Sequence, residues 1–479
     1  MPKPAALQLP RRPSPRSPSL AYTPREPQQT VLYRVLEQHL PAFLEQAQEY
    51  GGVPGFVAEA LQNYLSCGVL AHGLCRFKCC DCRCERLVAL SCKGRGICPS
   101  CGGKRMTELA AHLVDRVIPR VPVRQFVLSL PHRFRFRLAY DHGRSIAVFG
   151  LFVRAVLGFY RRRAKARGIG DGQTGAITFV QRFGSAANLH VHAHVLVLDG
   201  VFTAADSGEL TFHPLPAPSD RELRELLETV RRRVLRHLRK HGWLSEEAGD
   251  ADAMAEQEPV LASCYAGSIA RVQTLGSRPG SPLARIGAER GKGWVERPVG
   301  PLQARIDGFD LHARLAIATD LAGGTGRLEK LVRYCARPAL ANDRLSLLPD
   351  GRVQLELKTP WADGSTHVVY EPLDFVAKLA ALVPRPHKNL VLYHGVLAAR
   401  SKLRSRVVAY RREAVVGCGE SALQPRHQRR AWAELMRRAF GYDLLVCPNC
   451  GGKMVFLACI LRRDVIANIL ARAGPAAMG

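Results

Sequence analysis

Three histidines at alternate positions in an otherwise apolar run constrain this chain more than any other feature. The run is Asn188-Leu-His-Val-His-Ala-His-Val-Leu-Val-Leu198. In a β-strand, alternate side chains share a face. His190, His192, His194, Leu196 and Leu198 then point one way. Leu189, Val191, Ala193, Val195 and Val197 point the other way, into a core. Two imidazoles at i and i+2 sit close enough to bind one divalent ion, which can polarise a phosphate oxygen. A zinc hydrolase could use the same geometry, and a strand of merely hydrogen-bonded histidines is the plain alternative.

Charge narrows the partner. The 479 residues carry 69 Lys plus Arg against 41 Asp plus Glu, a net charge of +28. Such an excess favours a polyanion, nucleic acid or anionic membrane. No uninterrupted apolar run approaches the ~18 residues of a spanning helix, so an integral membrane protein is not expected, and the expected partners include no membrane. Met1 to Pro27 is rich in Pro, Arg and Ser without an apolar segment, and is expected to be a disordered basic leader rather than a secretory signal. The expected compartment is the reducing cytoplasm, where the 15 cysteines read as thiols or metal ligands.

Cys79-x2-Cys82 and Cys98-x2-Cys101 are separated by 15 residues, the spacing of a four-cysteine zinc ribbon. A segment this short buries little apolar surface, so Zn2+ would supply its folding energy. Cys75, Cys80, Cys84 and Cys92 are further thiols nearby. Lys93, Arg95, Lys104 and Arg105 surround the ribbon and suit DNA phosphates. Cys447-Pro-Asn-Cys450 has the form of one knuckle without an evident second, with Cys418 and Cys459 the nearest thiols, and is expected to be a half-degenerate ribbon.

Four regions are expected: the leader 1–27, a helical segment plus zinc ribbon over 28–118, a core over 119–345 with an irregular insertion at 246–306, and an accessory region over 346–479. Residues 219–240 predict a strong helix, with Ser219 and Glu222 as a capping box and Leu223, Leu226, Leu227, Val230, Val234 and Leu238 as its apolar stripe. Its arginines, and those of 161–167 and 403–412, suit phosphate contacts. A second helix is predicted over Arg327–Arg337, stopped by Pro338. Leu328, Leu331, Val332 and Cys335 make its buried stripe, and Tyr334 lies off it beside Arg327, Lys330 and Arg337, cations that could hold a phosphate. Taken alone, this tyrosine reads as the edge of a helix interface.

The chain resembles the HUH-type rolling-circle transposases of bacterial insertion sequences, in particular the insertion-sequence-ninety-one family. The islands that carry the resemblance run in order from about residue 70 to 455. They are Ser91–Cys101, Arg124–Pro131, Gln181–Ser185, His192-Ala-His194 leading into Leu198-Asp-Gly200, Leu328–Pro338, Leu357–Trp361, Leu382–Pro386 and Tyr393–Val396. The resemblance implies an α+β fold: an antiparallel-sheet nuclease core with helices on one face, preceded by the zinc ribbon. It implies single-strand DNA cleavage and rejoining at element ends through a covalent 5′-phosphotyrosine. Tyr334 would be the nucleophile, and His192 and His194 the ligands of Mg2+ or Mn2+. Gln181 on the neighbouring strand is the tentative third ligand, and His190 the other candidate. Some members carry a second tyrosine four residues earlier on the helix; here that position is Lys330, which suggests the single-tyrosine subtype. Tyr393 is a fallback nucleophile. The rival readings are a relaxase or replication initiator with the same core, and a non-catalytic zinc-ribbon regulator. The partner in the leading reading is single-stranded or element-end DNA near the nucleoid, with the oligomeric state open.

Overall fold

The apolar alternation of the histidine run does form a strand, Leu189–Leu198, and that strand lies inside a sheet. The computed structural model describes residues 25–244, 250–288, 298–412 and 445–472, with Arg438 and Asp443. They divide into two units. The larger holds Gln28–Leu65 and Cys92–Gly419; the smaller holds Ser66–Ser91 and the chain from Glu420 onward, besides the first 27 residues. Residues 1–24 of the expected leader lie outside the described residues. The division differs from the expected regions, because the cysteine-dense segment is split at Cys92 and its first half groups with the C-terminal segment.

In the larger unit a seven-stranded sheet runs in the order Val391–Gly395, Gly175–Phe183, Leu189–Leu198, Val123–Ser129, Phe309–His312, Gln303–Ile306. Ala316–Ile317 also pairs with Val123–Ser129. Every pairing is antiparallel. Leu189, Val191, Ala193, Val195 and Val197 are buried, as their alternation predicts.

Helices cover both faces of this sheet, where one covered face was expected. On the histidine face, helices Pro99–Arg116 and Gly324–Cys335 pack Ala110, Leu113, Val114, Leu328, Leu331 and Val332 against Ile177, Phe179, Leu196 and Leu198. On the other face, Tyr160 of helix His142–Lys165 meets the Phe126 ring edge-on, centroids 6.2 Å apart. The reason is compositional: the end of the histidine strand is apolar on both sides, and such a strand needs cover on both. Helix His142–Lys165 is long and apolar enough to cross a membrane. Its Phe149, Phe152, Val156 and Tyr160 are instead buried in this core.

A charged network ends the histidine strand. Arg124 pairs with Asp199 at 2.8 Å, Tyr160 Oη donates to Asp199 Oδ1 at 2.6 Å, and Arg124 also donates to Ala313 O. All three side chains are buried, so each ion has its partner where water cannot replace it.

Helix Asp220–Lys240 has the predicted capping box and apolar stripe, and Glu222 also takes Arg163 at 2.8 Å. In its described residues, the segment 246–306 is not irregular throughout. It carries helices Asp250–Gln257 and Pro259–Ala270 and strands Ala284–Ile286 and Gln303–Ile306. Periodicity missed the second helix because it is buried nearly all round, through Leu261, Ala262, Cys264, Tyr265, Ser268 and Ile269, and so shows no stripe. Its exit is pinned by buried groups: Asp374 Oδ1 accepts from Thr274 N at 2.6 Å, and Lys378 Nζ donates to Val272 O at 2.7 Å.

In the smaller unit, Met454–Ile460, Leu74–Cys79 and Glu85–Ala89 form a three-stranded antiparallel sheet in that order. Helix Arg463–Arg472 lays Ile466 against Leu74 and Leu87.

Candidate active site and cysteine clusters

The strand register assembles the first group of side chains. His192 faces Gln181 on one neighbour and Ser129 on the other; His194 faces Phe179 and Val127. The two imidazoles meet with Nε2 atoms 3.1 Å apart. His192 Nδ1–H donates to His190 O at 2.9 Å, which leaves His192 Nε2 as a bare acceptor. Gln125 Nε2 donates to His194 Nδ1 at 2.9 Å and to Cys335 Sγ at 3.3 Å. His194 Nε2–H is then the donor between the two rings. Burial drives both rings neutral, His192 down to about 4 and His194 to about 2, so each keeps one unprotonated nitrogen at neutral pH, and His194 Nε2 can ligate once its proton moves to Nδ1.

Gln181 lies beside this pair. Its Nε2 donates to Cys335 O at 2.7 Å and to Tyr334 O at 3.2 Å, which ties the strand to the end of the tyrosine helix. Its Oε1 is buried without a hydrogen-bond partner. An orphaned carboxamide oxygen next to two neutral imidazoles is a donor set that suits a hard divalent cation. His190 stacks on His192 with centroids 4.8 Å apart, and its Nε2 is likewise buried and unpartnered.

Tyr334 joins the group from helix Gly324–Cys335. The predicted stripe Leu328, Leu331, Val332 and Cys335 is buried, which turns Tyr334 outward with 47% of its surface exposed. Its ring meets the edge of His194 at 5.6 Å between centroids, and the Arg337 guanidinium lies over it at 4.8 Å. Cys335 next to it is no rival nucleophile, since burial pushes its thiol up to about 12. Tyr393 packs on the core cluster beneath Arg404.

Cations crowd the site. Among the described residues, no carboxylate pairs with Arg135, Arg271 or Arg337. Burial, then His192, and then Arg135 and Arg271 hold the His190 pKa down. Lys358 is pulled down to about 8 by burial and by Arg337 and Arg344. Unneutralised cations around these buried side chains suit an anion. A cavity of about 460 Å3 opens beside Gln181 and Cys335 and is lined by Arg95, Arg105, Arg182 and Arg337.

The other predicted DNA contacts divide. Arg327 and Lys330 are exposed on the tyrosine helix. Arg95 donates to Lys388 O at 3.1 Å, Arg105 to Lys93 O, and Lys104 sits 3.9 Å from Glu108. In the arginine-rich segments, Arg163 serves Glu222, and Arg412 caps the helix Pro99–Arg116 by donating to Ile118 O at 2.7 Å. Sequence reasoning missed Gln125, Arg135, Arg271, Arg344 and Lys358. Only Gln125 left a local sign, a polar residue inside an apolar strand.

The cysteines require a correction. Cys79, Cys82, Cys98 and Cys101 do not form one set. Cys79 and Cys82 gather with Cys447 and Cys450 in the smaller unit, their Sγ atoms all within 4.8 Å of one another. Cys98 and Cys101 gather with Cys92 in the larger unit, where Cys92 and Cys101 Sγ lie 3.6 Å apart. The hairpin explains this. After Cys82 the chain runs back along Leu74–Cys79 until Ala89 faces Leu74, roughly 15 Å from the turn at the usual strand rise. The turn is met instead by the knuckle that precedes Met454–Ile460, the strand on the other side. The 447–450 knuckle is therefore not a degenerate half. Cys418 lies outside the described residues.

A family model described as "Putative transposase" matches residues 175–405, the span that contains Gln181, His192, His194 and Tyr334. A second, described as "Transposase zinc-binding domain", matches residues 35–130. No curated protein and no solved structure matches the chain.

Proposed function

We propose that this chain, which belongs to the insertion-sequence-ninety-one (IS91) family of transposases, cleaves and rejoins single-stranded DNA at element ends by rolling-circle transposition, with Tyr334 as its one nucleophile. The observation that carries this reading is the exposed Tyr334 phenol set against the edge of His194, in a patch where, among the described residues, Arg337 has no acidic partner. A phosphodiester entering there meets a nucleophile and a cation at once.

The step balances simply. Tyr334 Oη bonds to phosphorus, its proton passing to solvent, and the bond from phosphorus to O3′ breaks. The electron pair leaves on O3′, which gains a proton as the free 3′-OH, while the 5′-phosphate stays on the tyrosine. Because a phosphodiester is exchanged for a phosphodiester, a later 3′-OH can attack the phosphotyrosine and rejoin the strand. His192 Nε2, His194 Nε2 and Gln181 Oε1 would hold a divalent ion, Mg2+ or Mn2+, which when bound supplies charge to a non-bridging phosphate oxygen. Gln125 holds the His194 ring in place; its amide can either donate to Nδ1 or accept from it, and so serves both protonation patterns of that ring. Arg337, Arg344 and Lys358 bind the phosphates flanking the scissile one, and the cavity edged by Arg95 and Arg105 takes the adjoining nucleotide. Arg327, Lys330, Lys93 and Lys104 extend the contact along the strand.

The test is a denaturing gel of end-labelled single-stranded oligonucleotide with Mg2+ or Mn2+. The native chain gives a covalent protein–DNA band, and Tyr334→Phe binds the same DNA but gives none. A band that survives in Tyr334→Phe removes Tyr334 from the role.

A further inference from the structure

We propose that Cys79, Cys82, Cys447 and Cys450 hold one zinc ion in a discontinuous tetrathiolate site that staples the segment 445–460 onto the hairpin 74–89. The family match to a zinc-binding domain ends at residue 130 and does not include the second pair. The geometry points to an ion at this place. Cys79 and Cys450 Sγ are 3.5 Å apart, and Cys82 and Cys447 Sγ 3.6 Å. A tetrahedron of sulfurs about 2.3 Å from zinc has edges of about 3.8 Å, so the four thiols already stand near the corners they would occupy. Soft thiolates with no carboxylate among them select zinc over the hard cations.

Both pairs sit on turns shaped for the task. Asp81 N–H donates to Cys79 Sγ at 3.4 Å, and Cys79 N–H closes the turn on Cys84 O at 2.8 Å. On the other side, Gly451 N–H donates to Cys447 O at 2.9 Å, with Gly451 at φ +74°. A Cβ at Gly452 would land on the Asp81 carboxylate, which would have to swing aside, and would press on Cys450 Sγ at 3.2 Å, so the two knuckles face each other closely there. The strands place them: Cys79 is in register with Met454, and Cys80 N–H donates to Lys453 O at 3.0 Å.

The site also accounts for how so small a unit holds. Among the described residues its apolar clusters are Leu74, Leu87 and Ile466 at one end, with Leu70, Ile460, Ile469 and Leu470 against them, and Cys79, Cys447 and Met454 at the other, with Phe77 and Cys84. So few buried side chains do not balance the entropy of ordering three strands, two knuckles and a helix, and a metal–thiolate centre can. The two half-sites are 365 residues apart in sequence. The C-terminal segment is thus a part of the metal module that begins near residue 66, and binding releases the thiol protons as the module closes.

Zinc is counted per chain on the purified full-length protein by elemental analysis. Cys447→Ser with Cys450→Ser lowers the count by one. Cys79→Ser with Cys82→Ser lowers it by the same one, and all four together by no more than one. Cys98→Ser with Cys101→Ser is additive with either pair. An unchanged count in the Cys447/Cys450 variant, or non-additivity between Cys79/Cys82 and Cys98/Cys101, overturns the proposal in favour of a contiguous ribbon. Should the variants fold poorly, differential alkylation of the native protein decides. Cys79, Cys82, Cys447 and Cys450 are protected together and become reactive together when a chelator is added. Alkylation of Cys447 and Cys450 in the zinc-loaded protein, or protection that only a reductant lifts, overturns the proposal.

Discussion

The histidine site and the smaller cysteine unit are both built from pairs of ligand-type residues two or three positions apart, yet they close in opposite ways. His192 and His194 stand on one strand, and Gln181 faces His192 from the adjacent strand just across the hairpin. Cys79 and Cys82 find their partners 365 residues or more away, at Cys447 and Cys450. A pair on a strand has its direction set by the pleat, so its neighbours follow from hairpin register. A pair on a turn is a half-site that any other half-site can complete, and spacing does not say which.

The largest effect expected from this contrast is on the smaller unit. Removing metal with a chelator should abolish amide-exchange protection in Met454–Ile460 while Leu189–Leu198 stays protected, as followed by hydrogen exchange and mass spectrometry. Equal loss in both strands would erase the distinction. Next, His192→Ala with His194→Ala should cut metal-dependent cleavage by roughly a thousandfold or more, the several kcal/mol a Lewis acid contributes, with oligonucleotide binding retained. Rates within tenfold of native would detach the histidines from the chemistry.

Asp199→Ala should destabilise the larger unit by about 3–5 kcal/mol in urea unfolding, because it leaves Arg124 buried and unpaired. Gln125→Leu keeps the shape but removes the partner of His194, and should weaken Mn2+ binding about 10–100-fold by titration calorimetry, with little change in DNA affinity. The smallest effect is on pH. His192 and His194 are held below their ordinary value of 6.5, so the unfolded chain binds more protons as pH falls past 6.5, and stability drops. In metal-free protein each imidazole should cost on the order of 1 kcal/mol between pH 6.5 and 5.5. His194→Asn should flatten the urea-midpoint profile over that window; an unchanged slope would mean the rings are wet.

Some elements were plain in the residues. The histidine strand, the capped helix Asp220–Lys240 and the stripe that turns Tyr334 outward each follow from a period of two or 3.6 read over ten to twenty residues. Helix Pro259–Ala270 was not, because a helix buried on all sides carries no period. Arg412 read as a phosphate contact and is in fact a helix cap, since charge alone does not say whether a guanidinium faces water or a carbonyl. Arg135 and Arg271 gave no sign, because what puts them at the histidines is the packing of elements distant in sequence.

By itself the sequence determined which faces are apolar, which side chains can ligate and which residue on the tyrosine helix stays outside. These depend on the local geometry of strand and helix, which is the same in every protein. The tertiary structure alone decided which half-site meets which, where the cations gather, and that the last described segment completes a module begun near residue 66. Those pairings are settled by chain segments competing for the same strand edge and the same buried surface, a contest that no short window of sequence contains.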